Sequence, residues 1–472
     1  MTEVKKEAAE VKKISTAKMI QWAITAIIVM SVLLVPCTAS FTFQIKMFIV
    51  VTALGILLVA FELLNLMAVS MMMPIGYLVF GLGPAEVVYS AWTMTLPTVM
   101  IGGYLLANIL DRVGLLKRIA YWSVIRVGGS YYGMLFGIFI AGTILNIATG
   151  GNAWVIMAAF TYGLCKSFNL GKSRDSTLIM LVGAFAATST CVFAYTPYFM
   201  SILLNGTHSV DPTIKLTWMQ FFIHMCPYAL FMVVFVWLMP KLLKPTQKLP
   251  GKEFYLEEYK KLGKMDRDEA KSAIVSAGLI LFMLTGGIHG IELDWAFIVI
   301  PWLLFLPGVG VGREEDVRKI DFSMIFFLVA CLTIGKMSAH LGLGKLLADM
   351  LVPMLEPLSP SIVIFAIYII GVLLNLMMTP LAIWALITEP VVQISIALNM
   401  DPRPFIYALM HCAEAIILPY EYVPYLTVYA FGMMSMIDFI KLNIMRCIIY
   451  VIGFIALLVP YWYLIGVIKP LV

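Results

Sequence analysis

Runs of apolar residues long enough to cross a bilayer recur from Met19 to Ile465, and that recurrence constrains this chain more than any motif in it. A helix needs about 20 such residues to span the hydrocarbon. Candidates lie near Met19 to Val35, Phe43 to Leu64, Ala91 to Leu110, Thr177 to Leu204, Trp218 to Met239, Tyr407 to Phe431 and Ile444 to Ile465, with shorter or broken runs between them. Composition agrees, since 62% of the 472 residues are hydrophobic and 12% are charged, against about 25% charged in a soluble domain. The expected class is an all-α polytopic membrane protein with about 11 transmembrane helices. A net charge of +5 without a basic stripe interleaved with aromatics gives no nucleic-acid partner. Seven scattered cysteines lacking a CxxC, and five histidines lacking ligand spacing, give no disulfide framework and no metal site beyond a possible sodium ion; they also disfavour an intramembrane enzyme.

The few charges report topology. Lys241 to Lys271 holds nine Lys or Arg against six acids, and a short basic loop stays in the cytoplasm by the positive-inside rule. The basic N-terminal segment belongs there too, as do Lys441 and Arg446, while Asn205 to Leu216 fits the opposite face. The expected organisation is a cytoplasmic N-terminus over 1–18, a first transmembrane half over 19–240, a cytoplasmic loop over 241–272 and a second half over 273–472, in the cell membrane.

The two halves resemble each other. DRVGLLKRIAYW leads to LNIATGGNAWVIM, and AHLGLGKLLADM leads to LNLMMTPLAIWAL. Gly114 and Gly342 lie 228 residues apart, Asn146 and Asn375 229, Trp154 and Trp384 230. The first copy carries Arg112, Lys117, Arg118 and Arg126, and the second, from Gly342 to Pro360, only Lys345. Charge therefore puts the copies on opposite faces as inverted repeats, an arrangement in which secondary transporters bind substrate between the repeats.

Each copy then breaks: Asn146-Ile-Ala-Thr149-Gly150-Gly151-Asn152 in one, Asn375 to Thr379-Pro380 in the other. Irregular backbone at membrane depth is tolerated only where protein or a water-filled cavity satisfies it. The helix restarting after a break offers free N–H groups to an anion, and the carbonyls freed before it suit a cation. The expected helical hairpins lie near 133–165 and 362–398. A second pair of breaks, Ala194-Tyr195-Thr196-Pro197 and Pro419-Tyr420-Glu421-Tyr422-Val423-Pro424-Tyr425, interrupts later apolar runs and is expected to face the hairpins.

With these residues in view, the chain resembles the divalent anion/sodium symporter family of the ion transporter superfamily. The resemblance rests on Gly-Leu-x-Lys-Arg before a hairpin, its repeat, the later Thr196-Pro197, and the ending YLTVYAFGMMSMIDFIKLNIMRCIIY. It implies a homodimer with a fixed scaffold, a transport domain moving as an elevator, and re-entrant hairpins. It also implies a small anionic substrate, a di- or tricarboxylate or oxyanion, driven by Na+ or H+ or by exchange, with no other cofactor. The family's Ser-Asn-Thr hairpin signature is absent. Aligning on the preceding helices places its Asn on Asn146 and Asn375, while aligning on the following helices places it near Thr149 and Leu381. The resemblance thus implies substrate contacts at Asn146, Thr149, Gly150, Gly151, Asn152, Thr196, Pro197, Asn375, Thr379, Pro380, Pro424 and Thr427.

Acids at membrane depth tend to pair, to bind a cation or to take up a proton. Glu421 and Glu414, seven residues apart, would share a helix face if the helix ran unbroken. Together with Asn146 and Asn375 they are the candidate coupling-ion residues, and Glu62 and Glu389 are further acids at depth. The expected function is secondary active transport of a small organic anion. A sodium/proton antiporter or an inorganic oxyanion permease is the alternative, with a non-transporting receptor behind them.

Overall fold

The computed structural model describes residues 16–468, apart from residues 62, 128–129, 248–250, 293 and 377–378 and the side chains of 16–17, 198 and 420; Glu62 thus falls outside the described residues. The described residues are helical, with no strand among them. Six helices are long and apolar enough to cross a membrane, or up to eight if each of two bent pairs makes one span.

Three helices, α1 (Thr16–Leu34), α2 (Phe43–Ala60) and α3 (Leu66–Val79), form a small hydrophobic cluster together with Ala330, Ile334, Met337 and Leu343 of the second repeat. The first repeat follows as α4 (Thr95–Arg112), α5 (Leu115–Val127), α6 (Tyr131–Ala148), α7 (Trp154–Ser167), α8 (Arg174–Ser189) and α9 (Pro197–His208). Helices α10 (Trp218–Met225), α11 (Pro227–Leu243), α12 (Lys252–Lys261), α13 (Arg267–Leu284) and α14 (Asp294–Val299) connect the halves. The second repeat is α15 (Phe322–Leu341), α16 (Leu343–Leu355), α17 (Pro360–Asn375), α18 (Pro380–Ala397), α19 (Pro402–Cys412) and α20 (Val423–Ala430). The chain ends in α21 (Met436–Gly453), which runs through a π turn to Leu464.

The sequence repeat is a structural repeat. Helices α5 and α16 both have 13 residues, and both ends are offset by 228. Each follows a glycine in the left-handed region, Gly114 at φ 86° and Gly342 at φ 71°, a conformation that a Cβ would strain. Proline opens α9, α11, α17, α18 and α19, where its missing N–H costs no helical bond. In both repeats the helices flanking the first break touch the helix that follows, α6 and α7 on α8, α17 and α18 on α19, while α18 packs more extensively on α15 and α16. One large hydrophobic core runs through both repeats.

The charged segment after α11 folds back on the first repeat. Arg118 of α5 pairs with Glu269, donates to the Gly263 carbonyl at 3.1 Å and lies over Tyr259. Arg112 pairs with Asp316 at 2.8 Å. Two of the four basic groups that mark the first repeat are therefore matched by acids. Arg446 departs further from its reading as a loop charge. It is fully buried in α21, so it marks no face of the membrane.

Candidate functional site

The polar residues of the breaks converge on two homologous contacts. Asn146, at the end of α6, donates its amide to the carbonyl of Ala187 in the last turn of α8. Asn375, at the end of α17, donates to the carbonyl of Ala415, just past α19, at 3.2 Å. The partners lie 41 and 40 residues downstream, so the contact repeats with the fold. Both asparagines are buried, and among the described residues neither Oδ1 atom has a hydrogen-bond partner. A buried amide oxygen left without a donor is a costly vacancy for a ligand proton or cation to fill.

At the first tip the chain reverses on Gly150 (φ 63°) and Gly151 (φ 102°). Thr149 is spent locally, its hydroxyl donating to the Leu145 carbonyl at 2.7 Å, and Asn152 donates to the Thr149 carbonyl at 3.3 Å. Helix α7 then starts without a side-chain cap, leaving its first amides open. The second tip includes Met377 and Met378, outside the described residues. Thr379 and Pro380 open α18, and the buried Thr379 hydroxyl has no partner. It borders a small apolar cavity of about 20 Å³ with Gly55, Ser70 and Cys331.

The later breaks are unwound as the prolines predict. Helix α8 gives way to a short 3-10 turn, Thr190–Val192, before Thr196 and Pro197 open α9. The Thr196 hydroxyl is buried and unpartnered. Helix α19 ends at Cys412, and the chain runs through a 3-10 turn, Pro419–Glu421, before α20. Pro424 sits in the first turn of α20, and Thr427 donates to the Val423 carbonyl at 3.0 Å. Because the helix is broken, Glu414 and Glu421 share no helix face. Glu421 instead curls over its own turn, accepting from the amides of Ile417 (2.9 Å) and Leu418 (3.0 Å).

Glu414 ties the two later breaks together. It accepts from the hydroxyl of Ser189, the last residue of α8, and lies 3.9 Å from Arg446. Arg446 also donates to the Tyr425 hydroxyl at 2.6 Å and to the freed Ile416 carbonyl at 3.1 Å. The sequence reading put Arg446 on the cytoplasmic face, gave Tyr425 no role beyond its place in the break, and did not name Ser189. One signal was available: a lone arginine inside the apolar run LNIMRCIIYVIG. Glu389 stands apart, accepting from Ser338 (3.3 Å) and Gln393 (2.5 Å) where α18 crosses α15 and α16.

A cavity of about 600 Å³ reaches the first break from one end of the molecule. Thr95, Tyr195, Ser201, His208, Lys215 and Asp294 are among its walls. Asp294 accepts from the Thr95 hydroxyl at 2.6 Å. Ligand sites commonly measure about 300–1,000 Å³, so the cavity admits a small solute to within one residue of Thr196.

Comparison with known proteins decides the family. Residues 56–411 match the family described as citrate transporter, CitMHS. The chain belongs to the citrate transporter family. It is thus a multi-pass membrane transporter and not an enzyme, and the family is one with the kinship that its repeats and breaks imply. A Cupriavidus necator protein called "Membrane protein" is 28% identical over 215 residues, which span 44% of this chain and 42% of that one. The L-tartrate/succinate antiporter of Escherichia coli strain UTI89 is 22% identical over 363 residues, covering 72% of this chain and 73% of the relative. Among solved structures, the Neisseria gonorrhoeae MtrF efflux pump aligns over 92% of this chain and 97% of its own, with TM-score 0.57 and 13% identity. The Alcanivorax borkumensis YdaH transporter aligns over 81% and 88%, with TM-score 0.50 and 16% identity. These two likenesses concern the fold alone.

Proposed function

We propose that this protein is a secondary active transporter of a small organic anion of the di- or tricarboxylate class, coupled to a cation or working as an exchanger. One observation carries the reading: the same buried asparagine contact, Asn146 to Ala187 and Asn375 to Ala415, stands at the broken helices of both repeats and leaves an unpartnered oxygen at each. Two related breaks in a buried core, with unmatched polar atoms, are the form of a midplane site between repeats. The substrates of the antiporters that the chain resembles, tartrate and succinate, support the carboxylate class. Anion groups would meet the open amides of α7 and the hydroxyls of Thr196 and Thr379, while the oxygen that takes Na+ or a proton comes from among the four candidates Asn146, Asn375, Glu414 and Glu421.

In this reading the repeats are inverted, the pairs α6–α7 and α17–α18 are re-entrant hairpins, and they move as an elevator past a scaffold within a homodimer. The basic segment 241–272 and the N-terminus face the cytoplasm. The test is uptake and counterflow of labelled citrate, L-tartrate and succinate in proteoliposomes. Saturable counterflow of one of them supports carboxylate transport, and none for any of the three, with folded protein, refutes it. The buried acids favour one other reading, a sodium/proton antiporter, which predicts sodium movement driven by a pH gradient without organic solute.

A further inference from the structure

The charges around the later breaks do not balance, and their imbalance divides the labour of the site. Around the second break lie two buried carboxylates, Glu414 and Glu421, and one buried guanidinium, Arg446. Around the first break, from Thr190 to Thr196, every side chain is neutral. Arg446 serves Glu414, 3.9 Å away, and spends its other bonds on Tyr425 and the Ile416 carbonyl. Among the described residues no Lys, Arg or His forms an ion pair with Glu421. Each Glu421 oxygen accepts one backbone amide, which leaves lone pairs free on both. A second observation points to a ligand at the same place: Asn375, bound to Ala415 of this break, has a buried Oδ1 without a partner.

We infer that the second break holds the exchangeable positive charge of the transport cycle, taken by Glu421, while Glu414 and Arg446 form a fixed pair that stays closed throughout. The first break, with no charge of its own, is left for the anion. This inference rests on the transport reading and narrows its four candidate coupling residues to the Glu421 side. A lone carboxylate in low dielectric is strongly driven to acquire a proton or a monovalent cation. The pair Glu414–Arg446 has its counter-charge already and has no such drive. The titratable groups acting on Glu421 from the packed elements are Arg446 and Cys447 of α21, and Glu414 and Tyr425 in turn hold Arg446; of these only Arg446 carries a positive charge.

The test uses the purified full chain and needs no knowledge of the substrate. Melting is followed with sodium chloride against choline chloride at equal ionic strength, and across a pH series. A ligand that binds the folded state raises the melting temperature by mass action. The native protein should be stabilised by sodium or by added protons, and the arm that responds says which. Glu421→Gln should lose that response. Glu414→Gln should melt lower yet keep it, and the double variant Glu414→Gln/Arg446→Gln, which strands no charge, should keep it as well if the single variant does not fold. A native protein indifferent to both ions, or a response that survives Glu421→Gln, overturns the inference. So does a response lost in the double variant. Absence of carboxylate counterflow in the native protein, with the ion response intact, would instead count against the transport reading alone.

Discussion

Between Thr190 and Thr196 the first repeat unwinds on neutral residues, whereas the second unwinds between Ala413 and Tyr422 on two acids backed by Arg446. The scaffolding is shared. Each break receives an asparagine amide from the preceding helix pair, and each restarts as a helix on an extended residue, Thr196 or Tyr422. A duplicated backbone has thus kept its hydrogen-bond plan while its two copies acquired different electrostatics. The repeats supply the shared geometry, and the acids of the second break, with Arg446 reaching them from α21, supply the difference between the two copies.

The sharpest way to break this comparison is to remove the charge behind the second break. Arg446→Met strands Glu414 in the core, and loss of one partner of a buried pair costs about 3–5 kcal/mol. Unfolding in detergent should show that loss, and Glu414→Gln/Arg446→Gln should regain most of it. No substitution of a first-break residue should cost as much. A Met variant as stable as the native protein would show that Arg446 is not paired as the 3.9 Å separation indicates.

The shared contact is tested by Asn146→Ala and Asn375→Ala. Each removes a buried bond and leaves a freed carbonyl unsatisfied, worth about 1–3 kcal/mol. Equal losses of stability and of uptake would confirm that the two breaks are structurally equivalent. A difference beyond about 1 kcal/mol would mean that one break draws on a further donor.

What the sequence disclosed follows from the range of the forces involved. Apolar runs, prolines at helix starts and the glycines Gly114 and Gly342 act locally, so the helices, the repeat and the positions of all four breaks were legible. So was the pairing of each asparagine region with the break that follows it, since the repeat preserves that spacing. Contacts made across the bundle were not. Arg446 read as a cytoplasmic charge because a lone arginine near a span end is usually one, and only the three-dimensional approach of Glu414 and Ile416 makes it internal. Glu421 and Glu414 would share a helix face only on an unbroken helix, and spacing alone does not reveal that α19 stops at Cys412. The clamp of Arg118 on Glu269 joins residues 151 positions apart, beyond any local pattern.

The tips differ as well, and by a smaller energy. Gly150 and Gly151 both lie at positive φ, where an L side chain costs about 1–2 kcal/mol. Gly150→Ala also pushes a Cβ into the Phe297 ring. The second tip, Leu376 to Thr379, has no glycine. Either alanine variant should therefore lower the melting temperature in the first repeat, an effect for which the second repeat offers no matching substitution.

The smallest expected change in stability is the most informative about function. The Thr196 and Thr379 hydroxyls are buried, and no partner among the described residues reaches either one. Removing an unpaired buried hydroxyl relieves its desolvation penalty, so Thr196→Val and Thr379→Val should leave stability within about 0.5 kcal/mol of native or raise it slightly. In the transport reading these two hydroxyls meet the substrate. Uptake should then fall in both variants without loss of folded protein, chiefly through a weaker apparent substrate affinity. Thr149→Val supplies the contrast, because its hydroxyl already donates to the Leu145 carbonyl at 2.7 Å and its loss acts first on the tip itself. If Thr196→Val transports normally while Thr379→Val does not, the anion is held at the second tip, and the first break loses its assigned role as the anion side.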